Sequence, residues 1–248
     1  MADPLKQFII QPWIPLEIGG LNLSYTNSSF WMTVGVLVSL LFLTAATSRR
    51  AVIPSRAQIF AEILYEFVAD MIRTNTGTKG MKFFPFVFTL FILVLMGNLL
   101  GMIPFSFTYT SSIIVTTALA LLVFFAVTIF GILNHGVKFL QLFCPSGVPL
   151  WLAPLIIPIE VISYLSRPVT LSLRLFINMM VGHLLLKVIA GFSVSLMAFG
   201  LVGFLGAFGP VIINVLMIAF EIFIALIQAY VFTLLTCMYL KDAVELHH

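Results

Sequence analysis

Residues 148–190 read VPLWLAPLIIPIEVISYLSRPVTLSLRLFINMMVGHLLLKVIA. No polar loop interrupts the run, yet a continuous helix of that length covers ~64 Å, about twice the hydrocarbon core of a bilayer. Residues 194–240 are similarly long and apolar, with Gly206, Gly209 and Pro210 as points where they can bend. Two such helices fit a membrane only by strong tilt or by breaks. They predict a long, tilted hairpin over 148–240 that turns near Gly191.

The rest of the chain agrees with a lipid solvent. Of its 248 residues 61% are apolar and 8% charged, with a mean hydropathy of +1.17. A soluble domain is about a quarter charged, and so few charges cannot cover an aqueous surface. The net charge of +3 does not signal nucleic acid. Six of the twelve Lys and Arg residues lie between Arg49 and Lys82, beside apolar runs, as the positive-inside rule expects. Cys144 and Cys237 form neither a disulfide framework nor a metal-ligand spacing and read as small apolar fillers. Residues 1–29 have no basic start followed by an apolar run, so they read as an outer N-terminal segment rather than a signal peptide.

Residues 30–48 carry no charge and form a first span, and Arg49, Arg50 and Arg56 place the following loop inside. In 54–75, Ile59, Phe60, Ile63, Leu64, Phe67, Val68, Met71 and Ile72 recur at helical spacing. Glu62, Glu66 and Asp70 form the opposite stripe. That pattern predicts an amphipathic helix at the inner interface, its acidic stripe a solvated face before it is a partner contact. Residues 83–133 hold the second span (83–103) and the third (112–133), broken at Pro104, and Asn98 reads as glue between helices. Residues 134–148, with Lys138, return inside, and 241–248 form a polar inner tail whose His pair reads as inert. The expectation is one all-α integral membrane domain over 1–248. It has about five crossings and one interfacial helix, with the N-terminus outside and the C-terminus inside.

Between Phe83 and Leu240 the charged residues are Lys138, Glu160, Arg167, Arg174, Lys187 and Glu221. Lys138 falls in a loop and Lys187 can snorkel. Each of the other four costs roughly 2.5–3.5 kcal/mol on insertion scales and so faces a partner or water. Glu160, Arg167 and Arg174 are seven residues apart, a drift of only ~20° per step, and share one face with Asn178 one turn on. Asn214, Glu221 and Gln228 repeat that spacing on the second arm. Along the first arm Glu160 lies ~21 Å inward of Arg174 and His183 ~13 Å outward; on the second, Glu221 lies ~10 Å outward of Gln228. If Gln228 is level with Arg174, His183 and Glu221 meet on the outer side. Glu and His exchange protons near neutral pH, whereas Arg does not deprotonate, repels protons and holds a carboxylate ionised. An internal Arg174–Glu221 ion pair that fixes the hairpin is the structural alternative. For Arg167, beside Pro168, the structural role is preferred.

The stretches SYLSRP (163–168) and SLRLFINM (172–179) resemble the signature of subunit a of the F-type ATP synthases, proton-translocating type. LIQAYVF (226–232) is similar to the family's last-helix motif, and GNLLGMIP (97–104) to its second span. The resemblance covers essentially the whole chain. It implies that Arg174 is the essential stator cation, with Gln228 its neighbour. It puts His183 and Glu221 on the outer half-channel, Glu160 on the inner one, and Asn178 and Asn214 near the same path. It implies as partners a ring of c subunits, b-type peripheral stalk subunits and the rest of the complex. It further implies a bacterial or mitochondrial inner membrane, protons as the transported ion, and no catalytic site, cofactor or metal in the chain itself. A stand-alone proton-coupled secondary transporter is the alternative, but no internal repeat supports it. An intramembrane enzyme or haem protein ranks last, since His135 and His183 have no matching ligand or nucleophile set.

Overall fold

The structure, a computed structural model of the chain, describes residues 9–15, 17–18, 21–22, 24–48, 54–103, 106–136, 139 and 153–244. Arg49, Arg50, Pro104, Lys138, Cys144 and the terminal His247–His248 pair lie outside the described residues.

Among the described residues the architecture is six α-helices and almost no sheet. Helix α1 (Asn27–Thr47) starts where the Thr26 hydroxyl accepts from the Ser29 N–H, and α2 (Arg56–Thr76) where Ser55 accepts from Gln58. Gly77, at φ 69°, stops α2. A 3₁₀ stretch, Thr78–Phe83, leads into α3 (Phe84–Gly101), which has Pro85 in its first turn, where no N–H is missed. Helix α4 (Ile113–His135) ends at Gly136, φ 57°. The chain finishes with two 45-residue helices, α5 (Ala153–Met197) and α6 (Gly200–Val244). Five helical segments are long and apolar enough to cross a membrane: Asn27–Thr47, Thr78–Gly101, Ile113–His135, Pro154–Met197 and Val202–Val244. This is an all-α polytopic membrane protein.

Two features differ from the sequence reading. The N-terminal segment is a narrow ribbon: β1 (Pro12–Ile14) pairs antiparallel with β4 (Tyr25–Thr26), and β2 (Glu17–Ile18) with β3 (Leu21–Asn22). Asn27 ties it to α1, donating to the Ile9 carbonyl at 3.2 Å while Trp13 packs on Phe30. The second difference is the hairpin turn. Gly191 lies inside α5, and the chain reverses at Ala198–Phe199, whose N–H groups bond back to Ser195 and Leu196. Gly200 supplies the left-handed backbone (φ 72°), and a Cβ on Gly203 would lie 2.0 Å from the Leu196 carbonyl oxygen. A glycine in an apolar helix breaks nothing by itself, because the helix keeps every backbone bond that lipid cannot replace.

Helices α5 and α6 pack against each other along their length, and α2, α3 and α4 pack on α6. Helix α1 touches α2 and α3. The core contains Val68 and Ile72 of α2, Val87 and Val94 of α3, Val123 of α4, Leu175 and Met179 of α5, and Ala229 and Leu240 of α6. Asn98 sits at its centre and donates to the Ala225 carbonyl at 3.1 Å, a link between α3 and α6. The opposite faces of α5 and α6 carry Ile162, Leu173, Ile177, Ile222, Phe223 and Leu226 exposed. On α2, Val68, Met71 and Ile72 of the apolar stripe are buried and Leu64 half-buried, but Ile59, Phe60, Ile63 and Phe67 are exposed along with Glu62, Glu66 and Asp70, so only the second half of the stripe packs on the rest of the chain.

Candidate functional site

Arg174 projects from the exposed side of α5. It makes no hydrogen bond or ion pair among the described residues, although Glu221 and Gln228 on α6 are both buried. A guanidinium left unpaired in an apolar surface is costly, and a partner outside the chain is the ordinary remedy. Arg167, seven residues earlier, is placed quite differently. It bonds Asp242 at 2.8 Å and lies over the rings of Tyr164 (5.2 Å) and Tyr239 (5.0 Å). Tyr164 in turn shares a 2.6 Å bond with Thr128 of α4. Arg167 therefore fastens α5 to the end of α6. Asp242, which the sequence reading assigned to a polar tail, belongs to α6 and is its partner.

His183 and Glu221 come together on the other side of Arg174: imidazole Nδ1 is 3.3 Å from carboxyl Oε1. The pair is close enough to exchange charge, yet it is not aligned as a hydrogen bond, and both Glu221 oxygens lack a hydrogen-bond partner among the described residues. Glu221 is only 3% exposed. A buried carboxyl left without a hydrogen-bond donor is costly, and the imidazole beside it is a group placed to share a proton with it. Gly182 makes the approach possible, since a Cβ there would lie 2.7 Å from Oε1. The Glu221–Arg174 pair offered as the alternative is not present; the carboxyl faces His183 instead.

The far edge of His183 meets Thr108, Nε2 to Oγ1 at 2.9 Å. Both side chains line an open cavity of about 810 Å³, walled by Trp13 and Asn27 of the N-terminal ribbon and α1, and by Lys187 of α5. Thr108 lies in a hydroxyl-rich run, residues 106–112, held by Ser111 and by Tyr109. Burial pushes the Tyr109 phenol well above its ordinary range, so it stays neutral and donates to the Leu93 carbonyl at 2.8 Å.

The remaining predicted residues are distributed along the same two helices. Glu160 and Asn178 are half-buried on α5. Asn214 is half-buried on α6, with its amide oxygen unpartnered, and Gln228 is 7% exposed on α6. The structure thus brings His183 to Glu221 but joins none of the other four to Arg174 by a hydrogen bond. Thr108, Gly182 and Asp242 were missed. The hydroxyl run after Pro104 and the glycine directly before His183 were the available signals, but neither names its partner without the packing of α4 and α6.

The family model "ATP synthase A chain" matches residues 29–241. An ATP synthase subunit a of Rhizobium johnstonii is 54% identical over 244 residues, covering 98% of each chain. One of Parvibaculum lavamentivorans is 50% identical over 247 residues, covering 100% of this chain and 95% of the relative. An "ATP synthase subunit a 1" of Brucella anthropi is 53% identical over 246 residues, covering 99% of both. With matches that run from end to end and a helix order that fits them, the chain belongs to the ATP synthase subunit a family, the membrane-sector subunit of ATP synthases.

Proposed function

We propose that this chain is the stator subunit that offers two proton half-channels to a rotating ring of c subunits and so couples proton flow to ATP synthesis. The observation that carries the reading is the contrast between two charges. Arg174 is exposed and unpaired among the described residues, while Glu221 is buried against His183. An internal tie would pair them. A stator cation must instead keep its charge available to a carboxylate that moves past it.

In this reading protons enter from the outer side through the cavity beside His183, and the path continues through His183, Glu221 and Asn214. A ring carboxylate takes the proton and travels through lipid as the neutral acid. The proton leaves by an inner path past Glu160. Arg174, flanked by Gln228 and Asn178, cannot deprotonate; it stabilises the emptied carboxylate and blocks direct passage between the two paths. Each proton crossing supplies about 2.3 kcal/mol per 100 mV of membrane potential. The hairpin of α5 and α6 lies strongly tilted against the curved ring, with α2 at the inner interface. The N-terminus is outside and the C-terminus inside, in a bacterial plasma membrane or a mitochondrial inner membrane. The whole chain is a single integral membrane domain, and b-type stalk subunits and the soluble catalytic head complete the assembly. The chemistry of ATP is left to the head, with no catalytic site, cofactor or metal in this chain. Family membership sets aside the stand-alone transporter.

The test is Arg174→Ala in inverted membrane vesicles. ATP-driven acidification is expected to disappear while the soluble head still hydrolyses ATP. Acidification at the parent rate would refute the reading.

A further inference from the structure

His183 has a polar neighbour at each nitrogen, and only one of the two belongs to the path proposed above. Nδ1 faces Glu221 at 3.3 Å; Nε2 faces the Thr108 hydroxyl at 2.9 Å. The Thr108 hydroxyl also lies 3.3 Å from the Gly101 carbonyl oxygen, to which it donates. A hydroxyl has one proton and two acceptor positions. With its proton turned to Gly101, the Thr108 oxygen can only accept from His183. In that arrangement a neutral imidazole carries its proton on Nε2 and Nδ1 is left as the exchanging nitrogen; with the hydroxyl proton turned to His183 instead, the tautomer is the reverse.

Thr108 is itself firmly placed. It is 6% exposed, its carbonyl accepts from the Ser111 hydroxyl at 2.6 Å, and Gly101 has no side chain to obstruct it, since a Cβ there would sit 2.4 Å from the Thr108 hydroxyl oxygen. Gly182 gives Glu221 the equivalent room on the opposite side of the ring. Two glycines therefore let a hydroxyl and a carboxyl close on the two edges of one imidazole.

We propose that Thr108 is a positioning residue of the outer proton path, holding His183 in its Nε2–H form so that Nδ1 and the Glu221 carboxyl share one proton. The transfer breaks one N–H bond and forms one O–H bond. The imidazolium and carboxylate become a neutral imidazole and a neutral acid, and no other reactant takes part. Thr108 gains and loses no proton in the step. It keeps the second nitrogen occupied and the ring oriented, so the proton has one destination. This inference rests on the reading of His183 and Glu221 as a proton path.

The experiment uses the intact ATP synthase in membrane vesicles, with the subunit level measured by immunoblot. Thr108→Val keeps the shape and removes the hydroxyl; it is expected to slow ATP-driven acidification about five- to tenfold per assembled complex, the weight of one positioning hydrogen bond. Thr108→Ser is expected to restore most of the rate. Equal loss in both variants, or parent rates in Thr108→Val, would overturn the proposal. A merely structural threonine could give the same rates, so the tautomer is read directly. In ¹⁵N-histidine-labelled assembly, the signal that disappears in His183→Gln should report a protonated Nε2, and in Thr108→Val it should move towards protonated Nδ1. A parent signal with bare Nε2 overturns the proposal even if no valine variant assembles. His183→Ala separates the two claims: parent-rate pumping there refutes the path itself, whereas lost pumping there with a normal Thr108→Val refutes only the role of Thr108.

Discussion

A difference of seven positions decides two fates for arginine on α5. Arg167 is enclosed by Asp242, Tyr164 and Tyr239, whereas Arg174 stands on the open face. Arg167→Gln should therefore lower the thermal midpoint of the assembly, by about 1–3 kcal/mol of stability for a lost charged hydrogen bond and two cation–π contacts, while pumping per assembled complex persists. Differential scanning calorimetry paired with vesicle acidification checks it, and loss of pumping at normal stability would contradict it. Gly182 makes a second prediction at this scale. Gly182→Ala pushes a methyl group into Glu221 Oε1, and pumping should fall several-fold; adding Glu221→Asp, which draws the carboxyl back by one methylene, should recover part of it. No recovery would mean that the methyl acts elsewhere. In the sequence, Arg174, His183 and Glu221 stand out as ionisable groups in an apolar run, His183 by its distance along the helix rather than by the seven-residue spacing; that spacing put Arg167 and Arg174 on one face, whereas Arg167 turns to Asp242 and Arg174 to the open side. Thr108 and Asp242 were not legible in the same way. A threonine in a hydroxyl-rich loop and an aspartate near a polar tail look ordinary until the helices from elsewhere in the chain are laid beside them.

At the scale of elements, apolar length and helical spacing were enough to draw α1 to α4 within a few residues of their bounds. The hairpin turn was not, for a reason that lies in the solvent. In water a glycine weakens a helix by about 0.5–1 kcal/mol relative to alanine, which makes Gly191 a natural break. In lipid an opened helix leaves backbone groups unbonded, a far larger cost, so α5 runs on to Met197 and turns where Gly200 adopts φ 72° and Gly203 lets the backbone close. The two glycine classes should respond in opposite ways. Gly203→Ala puts a Cβ against the Leu196 carbonyl and should cost about 1–3 kcal/mol, read as less assembled subunit in the membrane. Gly191→Ala has open space around its Cβ in this chain and should leave the hairpin intact. If Gly203→Ala assembles as well as the parent, the turn is not the close contact described. The N-terminal ribbon was also unforeseen: strands of two or three residues carry too short an alternation to read, and here Asn27 and Trp13 hold the ribbon to α1.

The whole molecule is a core of α2, α3 and α4 packed on one side of a hairpin whose other side remains apolar and open, with Arg174 on that open side. A soluble protein would cover such a face. In a membrane, lipid can cover the leucines and isoleucines, but it leaves the guanidinium without a counter-charge. The composition announced the lipid and the charge pattern set the arginine apart; on the proposed function, what meets that arginine belongs to the rotor ring. The most direct measurement is therefore the distance from the Arg174 guanidinium to the nearest carboxylate in a structure of the intact membrane assembly. The account predicts a carboxylate of the rotor ring within about 4–6 Å, the range over which opposite charges set each other's ionisation. An Arg174 turned inward and bonded to Glu221 of its own chain, with no ring carboxylate in reach, would contradict it.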